Sequence, residues 1–204
     1  MTKTFGVILA GGSGTRLGGV RKADIRIGGQ RLLDRVLMVF DGQVDHLIVS
    51  TGGFDLATPK AVQVVADRGG SGPLEGMRAA CETLGPEAAE IVVFAAVDAP
   101  FLPSDYVRRI ASTAGDRGAA FAAYGESFYP TNSAWRLETL RKQLAACKPD
   151  DGPKVLLRKA SASRLDWKDQ SGHDPFANLN TLADLIALQR RAPDPFGNQS
   201  APAL

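Results

Sequence analysis

Short apolar, β-branched runs alternate with stretches of helical periodicity along most of this 204-residue chain. The runs Phe5–Ala10, His46–Ser50, Val62–Ala66, Ile91–Ala96, Ala119–Ala123 and Thr131–Trp135 read as strands. Leu32–Phe40, Leu74–Leu84, Ser104–Ala114, Leu137–Cys147, Lys154–Lys159 and Thr181–Arg190 read as helices. In the first of these, Leu32, Leu33, Val36, Leu37 and Phe40 recur at three- and four-residue spacing, the stripe of a core-facing side. Ser104 and Thr181 stand where N-caps are expected, and Pro103 turns the chain into the former. This alternation predicts an α/β fold, a mostly parallel central sheet with helices on both faces. Ligands then belong at the carboxyl ends of the strands. Residues 1–191 are expected to form one domain, and the Pro- and Gly-containing residues 192–204 a mobile tail.

The first strand breaks into a loop with five glycines, Gly11, Gly12, Gly14, Gly18 and Gly19, together with Arg16 and Lys22. Glycine lets the backbone approach an anion and turn its N–H groups toward it. The arginine and lysine add full positive charge where phosphates would lie. The loop is not a P-loop, because Val20 stands where that motif needs lysine after Gly19. Nor is it a dinucleotide fingerprint, since Leu17 occupies the third glycine position.

Composition narrows the reading only a little. A net charge of +2 gives no global argument for nucleic acid, although residues 16–35 carry six Lys or Arg against two Asp. Aromatic residues do not interleave that basic stretch, as a base-stacking surface would need. No apolar stretch approaches the roughly 20 residues of a membrane span. The N-terminal residues enter a strand almost at once, without a secretory pattern, so the cytoplasm is expected. Cys81 and Cys147 read as small buried hydrophobes.

Three further segments carry chemistry. Val62–Ala66 delivers Asp67 and a second glycine loop, Gly69 to Gly76, whose small residues admit a flat base and ribose. The wholly apolar Ile91–Val97 reads as a strand buried on both faces and delivers Asp98, held stiffly before Pro100 and Pro103. Mg2+ takes one or two carboxylates plus phosphates and water, which makes Asp98 the expected metal ligand. Asn178 and Asn180 share a face if their segment is extended, placing two carboxamides beside a substrate or the metal shell. No Gly-x-Ser-x-Gly elbow and no helical His pair supports another chemistry.

In order along the chain, Leu9 to Lys22, Gly72 to Gly76, Asp98 to Phe101 and Asn178 to Leu182 resemble the motifs of the molybdenum cofactor guanylyltransferase family. The resemblance covers about residues 5–190. It implies a Rossmann-like nucleotidyltransferase fold that joins GMP from GTP to the terminal phosphate of molybdopterin-bound molybdenum cofactor, with Mg2+. It further implies that Leu9, Ala10, Gly11 and Gly12 hold the nucleotide. Arg16 and Lys22 would hold phosphates, Asp67 would bind GTP, and Asp98 both GTP and Mg2+. Ser50 stands where the family often carries Asn for nucleotide contact, and Asn180 would line the pterin side. Cofactor-delivery proteins and apo-molybdoenzymes are the implied partners, with neither nucleic acid nor membrane. Arg21, Val97 and Leu182 depart from the family's common acidic residue, Cys and Pro. A sugar-1-phosphate or cytidylyl transferase, or a non-catalytic GTP-binding carrier, are the alternatives. Lys154 could clamp an acceptor phosphate or face solvent.

Overall fold

A strand that is apolar at every position needs cover on both faces, and β6 (Ile91–Ala96) is buried throughout. The computed structural model describes residues 2–12, 17–67, 72–85, 90–148 and 151–192. On one side β6 pairs in parallel with β1 (Thr4–Leu9), followed outward by β4 (His46–Ser50) and β5 (Gln63–Val65). On the other side come β8 (Ser127–Arg136), β7 (Ala119–Tyr124) and β9 (Ser163–Asp166). β8 runs antiparallel to both of its neighbours, and the remaining pairings of the seven-stranded sheet are parallel.

The pleat of β6 divides the core. Ile91, Val93 and Ala95 pack with α1 (Leu32–Phe40), α3 (Tyr106–Arg117) and α6 (Leu182–Arg191). Val92 and Phe94 face the opposite side, with α2 (Pro73–Thr83), α4 (Leu137–Ala145) and α5 (Pro153–Lys159). Helices therefore cover both faces, as the strand–helix alternation requires. Each buried Val, Leu or Ile contributes about 1.5–3 kcal/mol over leaving it exposed.

Several boundaries differ from the sequence reading. The helix expected from Ser104 begins at Tyr106, with Asp105 at the cap position and no side-chain cap bond. A turn closed by Tyr106 N–H on the Pro103 carbonyl takes up the preceding residues. Thr181 does cap α6, and its partner Asp184 completes a reciprocal capping box. The strand expected from Thr131 starts at Ser127 and contains an irregularity (below). A strand and a hairpin were not foreseen. The first is β9; the second is the hairpin of β2 (Arg26–Ile27) and β3 (Gln30–Arg31), turned by Gly28 and Gly29 at φ 56° and 76°. Residues 193–204 lie outside the described residues.

Candidate active site

β1, β4 and β6 end side by side, with Leu9 opposite both Ser50 and Ala96. Alternation along the strands puts these three on the same face as Val7, Ile48 and Phe94, toward α2. The first turn of α2 meets them through Gly76. A cavity of about 470 Å³ opens there, at the carboxyl ends of the parallel strands. The glycine loop borders it on one side, and Asp98, Thr131 and Asn178 border it on the other.

One ammonium joins segments far apart in the chain. Lys22 Nζ donates to Asp98 Oδ2 and to Asn180 Oδ1, each at 2.7 Å. The Lys22 and Asp98 side chains are 19% and 16% exposed, so the pair is poorly screened by water. Asp98 Oδ1 is buried and has no partner among the described residues, and the same holds for Asn178 Oδ1. The backbone around Asn180 is fixed on both sides. Leu179 N–H donates to the Asp98 carbonyl at 2.9 Å, and the Asn180 and Thr181 N–H groups donate to Asp184 Oδ2. Partial burial pushes the Asp184 carboxyl up, but those N–H groups and the Thr181 hydroxyl outweigh it and bring the pKa below the usual aspartate value.

The same loop is fastened further back. Tyr129 donates its hydroxyl to Asp174 Oδ2. Burial first, and the Asp174 carboxylate second, push that phenol well above its usual range, so it stays protonated as the donor. Phe176 packs edge-on against Trp167 and Tyr106. Arg35 and Arg191 both lie over the Phe101 ring, 5.4 and 4.7 Å from its centroid, and hold the segment after Asp98 between α1 and α6.

Ser50 is buried, and its Oγ donates to Asp67 Oδ1 at 2.5 Å. Ser50, a nucleotide contact by the family resemblance, thus lines the cavity and also holds Asp67. Gly76 must lack a side chain for this to work. A Cβ there would lie 2.8 Å from Ser50 Oγ and 3.0 Å from Leu9 Cδ2.

Sequence reasoning missed the contribution of β8. Pairing jumps from Phe121–Ser133 to Ala122–Tyr129, leaving Pro130, Thr131 and Asn132 in a bulge. The bulge turns Thr131 into the cavity, and buried Asn132 accepts the Ala96 N–H through Oδ1 at 2.9 Å. Pro130, which has no N–H to give a ladder, was the available signal. Gly52 and Phe54, also on the cavity wall, carried none.

Of the residues singled out in sequence, Leu9, Gly11, Gly12, Lys22, Ser50, Asp67 and Asp98 line the cavity. Ala10 does not: its side chain packs on the core of the opposite face, and its N–H is taken by the Ser50 carbonyl. Asn180 does not line it either and reaches it through Lys22. Arg16 lies outside the described residues, as do Gly69 and Gly70. Lys154 also stands away from the lining, with its ammonium 5.0 Å from the Phe128 ring centroid. Among the described residues no group of three or more His, Cys, Asp or Glu is gathered to hold a metal. Cys81 is buried, Cys147 is half-buried, and both are free thiols. No helix among the described residues is long and apolar enough to cross a membrane.

Residues 6–165 match the family described as the MobA-like NTP transferase domain. A molybdenum cofactor guanylyltransferase of Rhodobacter capsulatus is 35% identical over 193 residues, covering 91% of this chain and 95% of that protein. One of Nitrobacter hamburgensis is 34% identical over 202 residues, covering 93% and 94%. Among solved structures, the molybdopterin-guanine dinucleotide biosynthesis protein A of Archaeoglobus fulgidus superposes with a TM-score of 0.68 at 18% identity, covering 92% of this chain and 97% of that one. A nucleotidyl transferase from Methanothermobacter gives 0.71 at 19%, covering 93% and 97%. These two likenesses are of fold.

Proposed function

The chain belongs to the MobA-like NTP transferase family, and on that footing we propose that it transfers GMP from GTP to the terminal phosphate of molybdopterin-bound molybdenum cofactor. The relatives named for that activity match it over almost their whole length. The observation that carries the reading in the site itself is the meeting of Lys22, Asp98 and the asparagine segment beside the glycine loop.

In the proposed reaction an oxygen of the acceptor phosphate attacks the α-phosphorus of GTP. A new P–O bond forms as the bond to the β-phosphate oxygen breaks, and pyrophosphate leaves with the electron pair. The acceptor phosphate is already anionic, so no general base is required, in keeping with a described lining that holds no histidine. Positioning and charge neutralisation do the rest. Gly11 and Gly12 admit the phosphates close to the backbone. Lys22 gives up part of its bond to Asp98 to face them, and Arg16 joins it. Asp67, held by Ser50, accepts from ribose or base donors.

Mg2+ fits the donors present. The buried, unpartnered Oδ1 atoms of Asp98 and Asn178 are hard oxygens beside the same cavity, and they would hold it together with phosphate oxygens. When bound, the ion supplies neutralisation of the charge on the phosphates.

The test is pyrophosphate release by purified protein given Mg2+, molybdopterin and each nucleoside triphosphate in turn. GTP is expected to support release and CTP to do so at least tenfold more slowly. Release only with CTP or a sugar 1-phosphate would move the protein to another transferase activity. GTP binding without turnover would make it a carrier.

A further inference from the structure

Asp67, Gly11, Gly52 and Phe54 follow one another along a single wall of the cavity. A Cβ built on Gly11 would lie 3.2 Å from both Asp67 Oδ2 and the Gly52 nitrogen. One built on Gly52 would lie 3.5 Å from the Gly11 Cα and 3.5 Å from Phe54 Cε2. The wall therefore runs from a carboxylate, over bare backbone, to an aromatic ring. Phe54 is 41% exposed, so its ring is open to a ligand in the cavity it lines. The ring is nevertheless held in place. The Arg21 guanidinium lies 5.6 Å from its centroid and is itself anchored by a 2.6 Å bond to the Asp55 carbonyl. Arg21 does not line the cavity, so it steadies the ring from outside it.

We propose that Phe54 is the platform on which the base of the nucleotide stacks, with Arg21 as its support. The proposal rests on the nucleotide reading of this cavity. An aromatic face attracts any base through stacking, and a guanidinium on the ring's outer side adds to its rigidity. Such a platform raises affinity for the nucleoside part and leaves base choice to polar groups along the wall.

Binding measured by calorimetry with Mg2+ present, without acceptor, separates the contributions. The probes are GTP and inorganic tripolyphosphate, which shares the phosphates and lacks the base. Phe54→Ala is expected to raise the Kd for GTP about tenfold or more and to leave tripolyphosphate unchanged. Phe54→Trp is expected to keep GTP affinity within about threefold, its fluorescence quenched by the nucleotide. Unaltered GTP binding by Phe54→Ala overturns the proposal. So does an equal loss for both probes, which would mean that the ring only shapes its loop. Failure of the unsubstituted protein to bind GTP while it still binds tripolyphosphate, or neither, would overturn the nucleotide reading and this proposal with it.

Discussion

Gly76 shows how a missing side chain sets the chemistry of its neighbours. It lies in the first turn of α2, where alanine would ordinarily gain about 1 kcal/mol of helix propensity. Here the added methyl would press on Ser50 Oγ, which is already committed to Asp67. Overpacking of a closed site costs about 1–3 kcal/mol, so Gly76→Ala is expected to lose stability in urea unfolding despite the propensity gain. Displacing Ser50 also frees Asp67, and GTP affinity in a titration should fall several-fold. A variant that is more stable and binds GTP normally would show that the contact is tolerated. At this scale the chemical types of Lys22, Asp67 and Asp98 were readable from spacing alone. The partner choices were not. Ser50 lines the cavity and also holds Asp67, and Asn180 accepts from Lys22, because packing decides where each hydroxyl and amide points.

The elements that bring these residues together differ in how openly the sequence declares them. β1, β4 and β6 announce themselves by short runs rich in Val, Ile, Leu and Phe, since most of their positions are covered on both faces. β9 reads Ser-Arg-Leu-Asp and pairs with β7, and nothing in its composition separates it from a loop. The bulge of β8 likewise depends on a partner strand, as a bulge is defined only against the residues opposite. The start of α6 is the opposite case, where Thr181 and Asp184 form a cap legible three residues apart. Thr181→Ala is expected to cost about 1 kcal/mol of stability. Asp184 adds a pH dependence whose sign follows from its lowered pKa. The carboxylate is favoured in the folded state, so its contribution is complete above the unfolded value of about 3.9 and fades as pH falls through the lower folded value. In thermal unfolding, the deficit of Asp184→Ala against the parent protein should therefore be larger at pH 7 than at pH 3. An equal deficit at both would mean the cap does not depend on charge.

Across the whole molecule, the sheet order β5-β4-β1-β6-β8-β7-β9 places the Asp67, Gly52 and Gly11 wall and the Asp98 edge on the ends of strands that adjoin in space. Ligand bound there touches many elements, and binding only the folded state must stabilise all of them. At about 100 times its Kd, GTP with Mg2+ is expected to add about 2.7 kcal/mol to unfolding. For a chain of this size that raises Tm by roughly 5–10 °C, which scanning calorimetry would read. CTP at the same concentration should give a clearly smaller rise, and an equal one would argue against guanine preference. The chain alone determined the α/β class, six of the strands, the glycine loop and the acidic strand end. Those depend on the period of apolar residues and on motifs only a few positions long. Only the tertiary structure decided that Lys22 meets Asp98 and Asn180, 76 and 158 residues away. It alone also set Gly52 against Gly11, about forty residues earlier in the chain, on the cavity wall. Contacts across such separations are chosen by how layers pack and loops close, and no local pattern encodes that geometry.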